Sequence, residues 1–219
     1  MPTRTVEQYV KTLYQLERLG QRSLVQMKTL AEAMEVTPGS ATAMVKHLDE
    51  EGLIHYYPRK GTSLTDEGRR LALSMIRRHR LLETFLVRIL GYDWSEVHLE
   101  AEELEHAVSE SFMERVDTLL GSPTVDPHGD PIPSVDGTVS ASEYVPLSEA
   151  PHGGRLTVAR IISEDREFLT LMQERGIVPG AQFILTDKNE VAGTISLQNV
   201  ESGEVFALGY DLGQKILVK

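Results

Sequence analysis

Residues 37–64 read TPGSATAMVKHLDEEGLIHYYPRKGTSL, and this stretch decides the fold of the N-terminal third. Thr37 is a good N-cap, and Pro38 fits the first helical position, where a missing N–H costs no helical hydrogen bond. The run to Glu51 continues as a helix with Met44, Val45 and Leu48 on one face, and Gly52 ends it. Leu53–Tyr57 has strand character, Pro58-Arg59-Lys60-Gly61 is a basic turn, and Thr62–Leu64 returns. Upstream, Val6, Tyr9, Val10, Leu13, Tyr14 and Leu16 recur at helical spacing before Gly20. Val25–Met34 reads as a short second helix. Helix, turn, helix and two-stranded ribbon, in that order, predict a winged helix-turn-helix.

Downstream, Thr65-Asp66-Glu67 caps a helix running to about Leu90, and a further helix is predicted from about Ser95 to Leu120. Gly121–Gly154 holds six of the ten prolines and reads as a long connecting segment with little regular structure. From Arg155 the pattern turns β-rich. Short runs at Leu156–Ile162, Gln182–Thr186, Thr194–Gln198, Val205–Leu208 and Lys215–Val218 alternate with turns, with one short helix near Glu167–Glu174. That predicts a small β-barrel-like module and an α+β, multidomain chain.

Composition narrows the chemistry. The 219 residues include no cysteine, which excludes a disulfide framework, thiolate zinc sites, iron–sulfur clusters and cysteine nucleophiles. The net charge of −11 argues against a simple nucleic-acid-coating protein. The acidity is uneven, however. Residues 1–75 carry ten Lys and Arg against nine Asp and Glu, leaving 12 against 24 for the rest. A DNA-binding N-terminal module is therefore compatible with the overall charge. Met1–Gly20 lacks a signal-peptide core and no apolar run approaches membrane-span length, so a cytoplasmic protein without membrane contact is expected.

A short helix fits the major groove and presents its N-terminal side chains to base edges. Here these are Thr37, Pro38, Gly39, Ser40, Thr42 and Ala43. They are small and include no arginine, so modest direct readout is expected, with phosphate contacts doing much of the holding. Arg59 and Lys60 at the wing tip, with Lys28, Lys46 and His47, are the phosphate candidates. The plainer alternative is a helical subdomain for protein contacts with ordinary solvated lysines.

A second constellation lies further on. His79 and Glu83 stand at i, i+4 on one helix; His98, Glu102, Glu105 and His106 stand at i, i+4, i+7 and i+8 on the next. Each set occupies one helical stripe. Imidazole and carboxylate without sulfur suit Mn(II), Fe(II), Co(II) or Zn(II), and an oxygen-rich set leans toward Mn(II). Asp126 and His128 in the connecting segment, and Glu164, Asp165 and Glu167 in the last module, are further candidates. Glu–His ion pairs, an Asx-type turn and a solvated acidic turn are the ordinary readings of the same residues.

These residues resemble the diphtheria-toxin-repressor/manganese-transport-regulator family of metal-dependent repressors over nearly the whole chain. The resemblance is carried by Val6-Glu7-Gln8-Tyr9, by Leu48-Asp49-Glu50-Glu51-Gly52-Leu53 and by Leu64-Thr65-Asp66-Glu67-Gly68. Arg78-His79-Arg80-Leu81-Leu82-Glu83, the run Val97–His106 and Asp130-Pro131-Ile132-Pro133 extend it. Gly176-Ile177-Val178-Pro179-Gly180 is similar to the family's C-terminal SH3-like, FeoA-like domain. The resemblance implies a winged helix-turn-helix in residues 1–70, a helical metal-binding and dimerisation domain with its Pro-rich segment in 71–150, and an SH3-like β-barrel in 151–219. It implies a cytoplasmic homodimer reading a palindromic operator in double-stranded DNA to control metal-homeostasis genes.

His79, Glu83, His98, Glu102, Glu105 and His106 match the family's ligand positions, and Glu102 stands where manganese-responsive members have glutamate. Asp126 and His128 match a ligand pair of three-domain manganese-responsive members. Asp165 aligns best with a ligand from the SH3-like domain, with Glu164 and Glu167 as neighbours within alignment slip. The implied ion is Mn(II), with Fe(II) as the alternative and Zn(II), Co(II) or Cd(II) as substitutes in vitro. Two positions depart from the pattern. Gln8 replaces a Met or Asp ligand of the first helix, and Lys11 stands where some manganese members have Glu. A direct carboxylate tie from the first helix is thus missing, leaving the Gln8 amide oxygen or backbone carbonyl.

Two other classes are weighed. A metal-dependent hydrolase would need an open coordination position, and no nucleophile motif, phosphate loop or HExxH is present to accompany it. The chain is therefore not read as an enzyme and no small organic substrate is expected. A winged-helix regulator that senses no metal would bind DNA regardless of chelator.

Overall fold

The structure, a computed structural model, describes residues 3–20, 24–140 and 143–219. It divides into two compact units. One comprises the chain up to His79 with Pro133–Thr138; the other comprises Arg80–Ile132 and Val139–Lys219.

In the first unit, α1 (Arg4–Gly20), α2 (Met27–Ala33) and α3 (Pro38–Glu50) precede a hairpin of β1 (Ile54–Tyr57) and β2 (Gly61–Leu64) and the start of α4 (Asp66–Arg88). The apolar spacing of α1 buries Val6, Tyr9, Val10, Leu13 and Tyr14. Leu30, Val45, Leu48 and Ile54 are buried in the same unit. Each such burial contributes roughly 1.5–3 kcal/mol. Thr37 caps α3 as its sequence predicts, its hydroxyl accepting from the Ser40 N–H at 3.1 Å, with Pro38 in the first turn. Thr65 starts α4 in the same way, its hydroxyl accepting from the Gly68 N–H at 3.0 Å. The hairpin pairs Ile54 with Leu64 through Tyr57 with Gly61. Val25 bridges Thr62 in both directions, at 2.8 and 2.9 Å. Only glycine fits at Gly61: its φ is +136°, and a Cβ there would lie 2.4 Å from the Val25 carbonyl oxygen.

In the second unit, the end of α4 packs with α5 (Val97–Glu105) and α6 (Glu110–Leu120) around Leu81, Leu82, Leu86, Val97, Ala101, Met113, Val116 and Ile132. The single helix expected over about Ser95–Leu120 is two helices. His106 closes α5, and Ser109 adopts extended backbone and caps α6, its hydroxyl accepting from the Phe112 N–H at 3.2 Å. A serine offering its oxygen to a free helical N–H starts a new helix more readily than it continues an old one.

The C-terminal module contains β3 (Val145–Pro146), β4 (Arg155–Ile161), α7 (Arg166–Glu174), β5 (Gln182–Asn189), β6 (Thr194–Asn199), β7 (Val205–Gly209), α8 (Tyr210–Gln214) and β8 (Ile216–Val218). The strands form one antiparallel sheet ordered β3-β8-β4-β5-β6-β7. The predicted β-barrel is an open sheet among the described residues. Bulges near Val158 and Leu185 bend it, but β3 is two residues long, pairs only with β8, and ends on Pro146, which has no N–H to extend the ladder. Phe168, Leu169, Met172, Ile177, Phe183, Leu185, Ile195 and Leu197 fill the module's core, and Trp94 joins it from the segment between α4 and α5. The connecting segment contributes β3 and an antiparallel bridge between Val125 and Pro131.

Candidate metal centre and nucleic-acid interface

Glu83, on the second-unit part of α4, is buried because that face of the helix packs inward with Leu82 and Leu86. The connecting segment brings Asp126 and His128 to it. Ligand-capable atoms of Glu83, Asp126 and His128 lie within 4.8 Å of one another, and all three residues are buried. The turn carrying the latter two is tightly fixed. Asp126 Oδ1 accepts from the His128 N–H at 2.8 Å and the Asp130 N–H at 2.9 Å, and Asp126 N–H donates to the Asp130 carbonyl at 3.0 Å. Gly129, at φ +85°, passes so close to β4 that a Cβ would lie 2.1 Å from the Ala159 carbonyl oxygen. The Ile161 N–H donates to the His128 carbonyl at 2.8 Å.

The charge balance of this cluster is unfavourable. Burial, then the carboxylates of Asp130 and Glu83, hold the Asp126 carboxyl well above the usual carboxylate range; Arg80 opposes them incompletely. Arg80 Nε stands 3.7 Å from Asp126, while its Nη atoms donate to the Pro131 carbonyl at 2.6 Å and to Asp130 at 2.9 Å. Arg160 from β4 also pairs with Asp130. Two buried carboxylates and an imidazole without sulfur form a donor set that fits a hard-to-borderline divalent cation.

The other predicted ligands lie outside this group of three. His98 on α5 sets Nδ1 3.2 Å from Glu83 and Nε2 3.5 Å from Glu164. Asp165 is the N-cap of α7, its Oδ1 accepting from the Phe168 N–H at 2.8 Å, so the acidic side chain facing His98 is Glu164. Glu105 is buried and lies 3.4 Å from His106 Nε2; Glu102, on the same helix, is half-buried. Among the described residues, Glu102, Glu105 and His106 do not enter the Glu83–Asp126–His128 group. His79, one turn before Glu83 on α4, is buried, with Nδ1 3.4 Å from the Lys11 ammonium. The first helix thus brings a cation where a carboxylate tie is absent. Arg80 and Asp130 stand in runs that carry the family resemblance but were not read as site residues, and Trp94 was not read as one either. The Asp-x-x-x-Asp spacing at 126 and 130 was the one signal of a carboxylate-rich turn.

The predicted DNA-reading residues are exposed except Thr42, which is half-buried on α3. All three hydroxyls are engaged locally: Thr37 Oγ1 caps the helix and lies 2.9 Å from Ser40 Oγ, and Thr42 donates to the Pro38 carbonyl at 2.7 Å. Gly39, Ser40 and Ala43 are exposed. Lys46, Arg59 and Lys60 are exposed; Lys28 pairs with Glu32 at 3.8 Å and His47 with Glu51 at 3.3 Å. Arg59 sits at φ +66°, a left-handed conformation that non-glycine residues seldom adopt.

Residues 1–62 match the iron dependent repressor N-terminal DNA binding domain, 65–134 the iron dependent repressor metal binding and dimerisation domain, and 145–219 the FeoA domain. The iron-dependent repressor IdeR of Mycobacterium leprae is 31% identical over 203 residues, covering 87% of this chain and 86% of that protein. A manganese-dependent transcriptional repressor solved in complex with manganese is 41% identical, with a TM-score of 0.85 over 97% of this chain and 98% of that one. ScaR with bound Cd2+ is 34% identical, with a TM-score of 0.78 over 100% and 99% of the two chains. No helix among the described residues is long and apolar enough to cross a membrane.

Proposed function

The chain belongs to the diphtheria-toxin-repressor/manganese-transport-regulator family of metal-dependent transcriptional repressors, and on that premise we propose that it is a Mn(II)-dependent repressor acting as a homodimer on a palindromic operator. The observation that carries the metal reading is the buried Glu83–Asp126–His128 cluster, whose carboxylates are underneutralised by Arg80. Glu83, Asp126 and His128 would hold one ion, with His98 and Glu164 flanking Glu83, and Glu102, Glu105 and His106 would form a separate donor set at the end of α5. When bound, the divalent ion supplies the positive charge that offsets carboxylate repulsion. The chain's own residues do the rest. The Asp126–Asp130 turn ties the connecting segment to β4, Arg80 and Arg160 anchor Asp130, and Glu83 presents its carboxylate to that turn from α4.

Three regions divide the work: residues 1–70 read DNA, 71–150 bind metal and dimerise, and 151–219 support the site through the FeoA-type sheet. Gly39, Ser40 and Ala43 approach base edges, while Thr37, Pro38 and Thr42 shape the helix start. Lys28, Lys46, His47, Arg59 and Lys60 serve phosphates. The exposure of Arg59 supports that role; its left-handed φ is what the Tyr57–Lys60 turn requires at its third position, with the Lys60 N–H donating to the Tyr57 carbonyl at 2.9 Å. A coupling of about 2–3 kcal/mol between metal and DNA corresponds to about 30–150-fold in DNA affinity. The iron-dependent relatives favour Fe(II) as the second reading.

The test is DNA binding at fixed salt to a fragment recovered by selection with the full chain. Wild type and Asp126→Ala are compared with chelator, with Mn(II) and with Fe(II) kept reduced. Mn(II) is expected to tighten the wild type at least tenfold and Asp126→Ala hardly at all. Equal affinity with chelator and with either metal would overturn the metal-dependent reading; a response to Fe(II) alone would transfer it to iron.

A further inference from the structure

Trp94 touches the metal cluster without being a ligand candidate. It is the single tryptophan of the chain, lies between α4 and α5, and is buried in the core of the C-terminal module. Its indole stacks on the His128 ring, with centroids 5.2 Å apart and planes 21° from parallel. Its main-chain carbonyl meets His128 Nε2 at 2.9 Å. Its own Nε1, although buried, has no hydrogen-bond partner among the described residues. The indole is therefore held by packing and stacking, not by its polar edge.

A carbonyl oxygen can only accept. His128 Nε2 must therefore carry the proton in this contact, and the neutral ring keeps its lone pair on Nδ1. A ligating histidine needs such a partner on its other nitrogen, since that hydrogen bond fixes both tautomer and ring rotation. Trp94 supplies the hydrogen bond from its backbone and a flat wall from its side chain. The segment around it is also clasped by the C-terminal module: Glu96 pairs with Arg166, and Thr170 Oγ1 lies 3.5 Å from Ser95 Oγ.

We propose that Trp94 is a positioning residue for metal binding, which holds His128 as the Nε2–H tautomer, leaves Nδ1 as the donor, and links that ligand to the core of the C-terminal module. The proposal rests on His128 being a ligand, as put forward above. It gives the FeoA-type module a role in the site that does not depend on contributing a ligand of its own.

The experiment uses the full-length chain labelled with 15N-histidine, with His128→Gln identifying the His128 resonances. In the metal-free protein, the expected spectrum has a protonated Nε2 and an unprotonated Nδ1. The reverse tautomer overturns the proposal. Mn(II) binding is then followed by the electron paramagnetic resonance of the free ion, and in the wild type by Trp94 fluorescence. Bound Mn(II) is expected to quench that emission. Trp94→Leu, which removes the stack, is expected to weaken Mn(II) binding about 10–100-fold with the circular dichroism spectrum unchanged, whereas Trp94→Phe, which keeps an aromatic wall, stays within about threefold. Wild-type affinity in Trp94→Leu, or Mn(II) binding that leaves the emission unaltered, overturns the proposal while the metal reading stands. A wild-type chain that binds no Mn(II) removes both. Should Trp94→Leu fail to fold, the tautomer in the wild type still decides.

Discussion

Thr37 and Asp126 perform the same local task in opposite surroundings. Each uses a side-chain oxygen to accept backbone N–H groups a few residues ahead: Ser40 for Thr37, and His128 and Asp130 for Asp126. Thr37 is neutral and exposed at the start of α3. Its bond stabilises a helix and leaves a smooth, small-residue surface for another molecule. Asp126 is charged when ionised and 4% exposed, with Glu83 and Asp130 beside it. Its two hydrogen bonds fix the turn but do not supply the positive charge the site lacks. The same motif is a finished structural element in water and an incomplete electrostatic one when buried, because desolvation penalises the ionised form.

The sharpest way to break this contrast is Asp126→Asn. The amide oxygen can still accept both N–H groups, so the turn survives, but the charge is gone. Mn(II) affinity is expected to fall about 100-fold by titration calorimetry, while thermal unfolding in chelator shows no loss of stability. An unchanged affinity would reduce Asp126 to the role Thr37 plays.

A pH series sharpens the same point. Because the Asp126 carboxyl is raised in the folded state, the folded metal-free chain holds a proton that the unfolded chain releases near the ordinary value of about 3.9. Its contribution to stability is therefore full at low pH and declines as pH rises from there through the raised value. Mn(II) affinity should rise over the same window. Urea unfolding of wild type and Asp126→Asn in chelator checks this: the wild type should show the extra decline and the variant should lack it.

At the other site, Thr37→Ala should cost about 1 kcal/mol of stability in urea unfolding, as expected for loss of an N-cap, and leave Mn(II) affinity unaltered. A fall in Mn(II) affinity would show that the two sites are not independent in this respect. The smallest effect is expected for Arg59→Gly. Relieving the left-handed φ should leave stability equal or slightly higher, while the slope of log affinity against log salt on operator DNA falls by about one unit. An unchanged slope would remove Arg59 from the phosphate contacts.

Much of this molecule is legible in the sequence. Periodicity gave α1, the Thr37-Pro38 cap gave the start of α3, and the basic turn between two short apolar runs gave the hairpin. These features depend on neighbours within a few residues, where spacing and capping chemistry decide the outcome. The break between α5 and α6 was present too, in Ser109, but helical apolar spacing on both sides concealed it. The openness of the C-terminal sheet was not legible, since it depends on which strands meet and on the short, proline-ended β3 at one edge.

The candidate site divides in the same way. Spacing along the chain is enough to show imidazoles and carboxylates recurring on α4 and α5, and composition is enough to show that no thiolate is on offer to a metal. Folding alone brings Asp126 and His128 from a proline-rich segment to Glu83, turns Glu164 and not Asp165 toward His98, and stacks Trp94 on His128. Helical spacing fixes which residues share a face at short range. Which faces meet, and which charges lose their water when they do, is set by long-range packing.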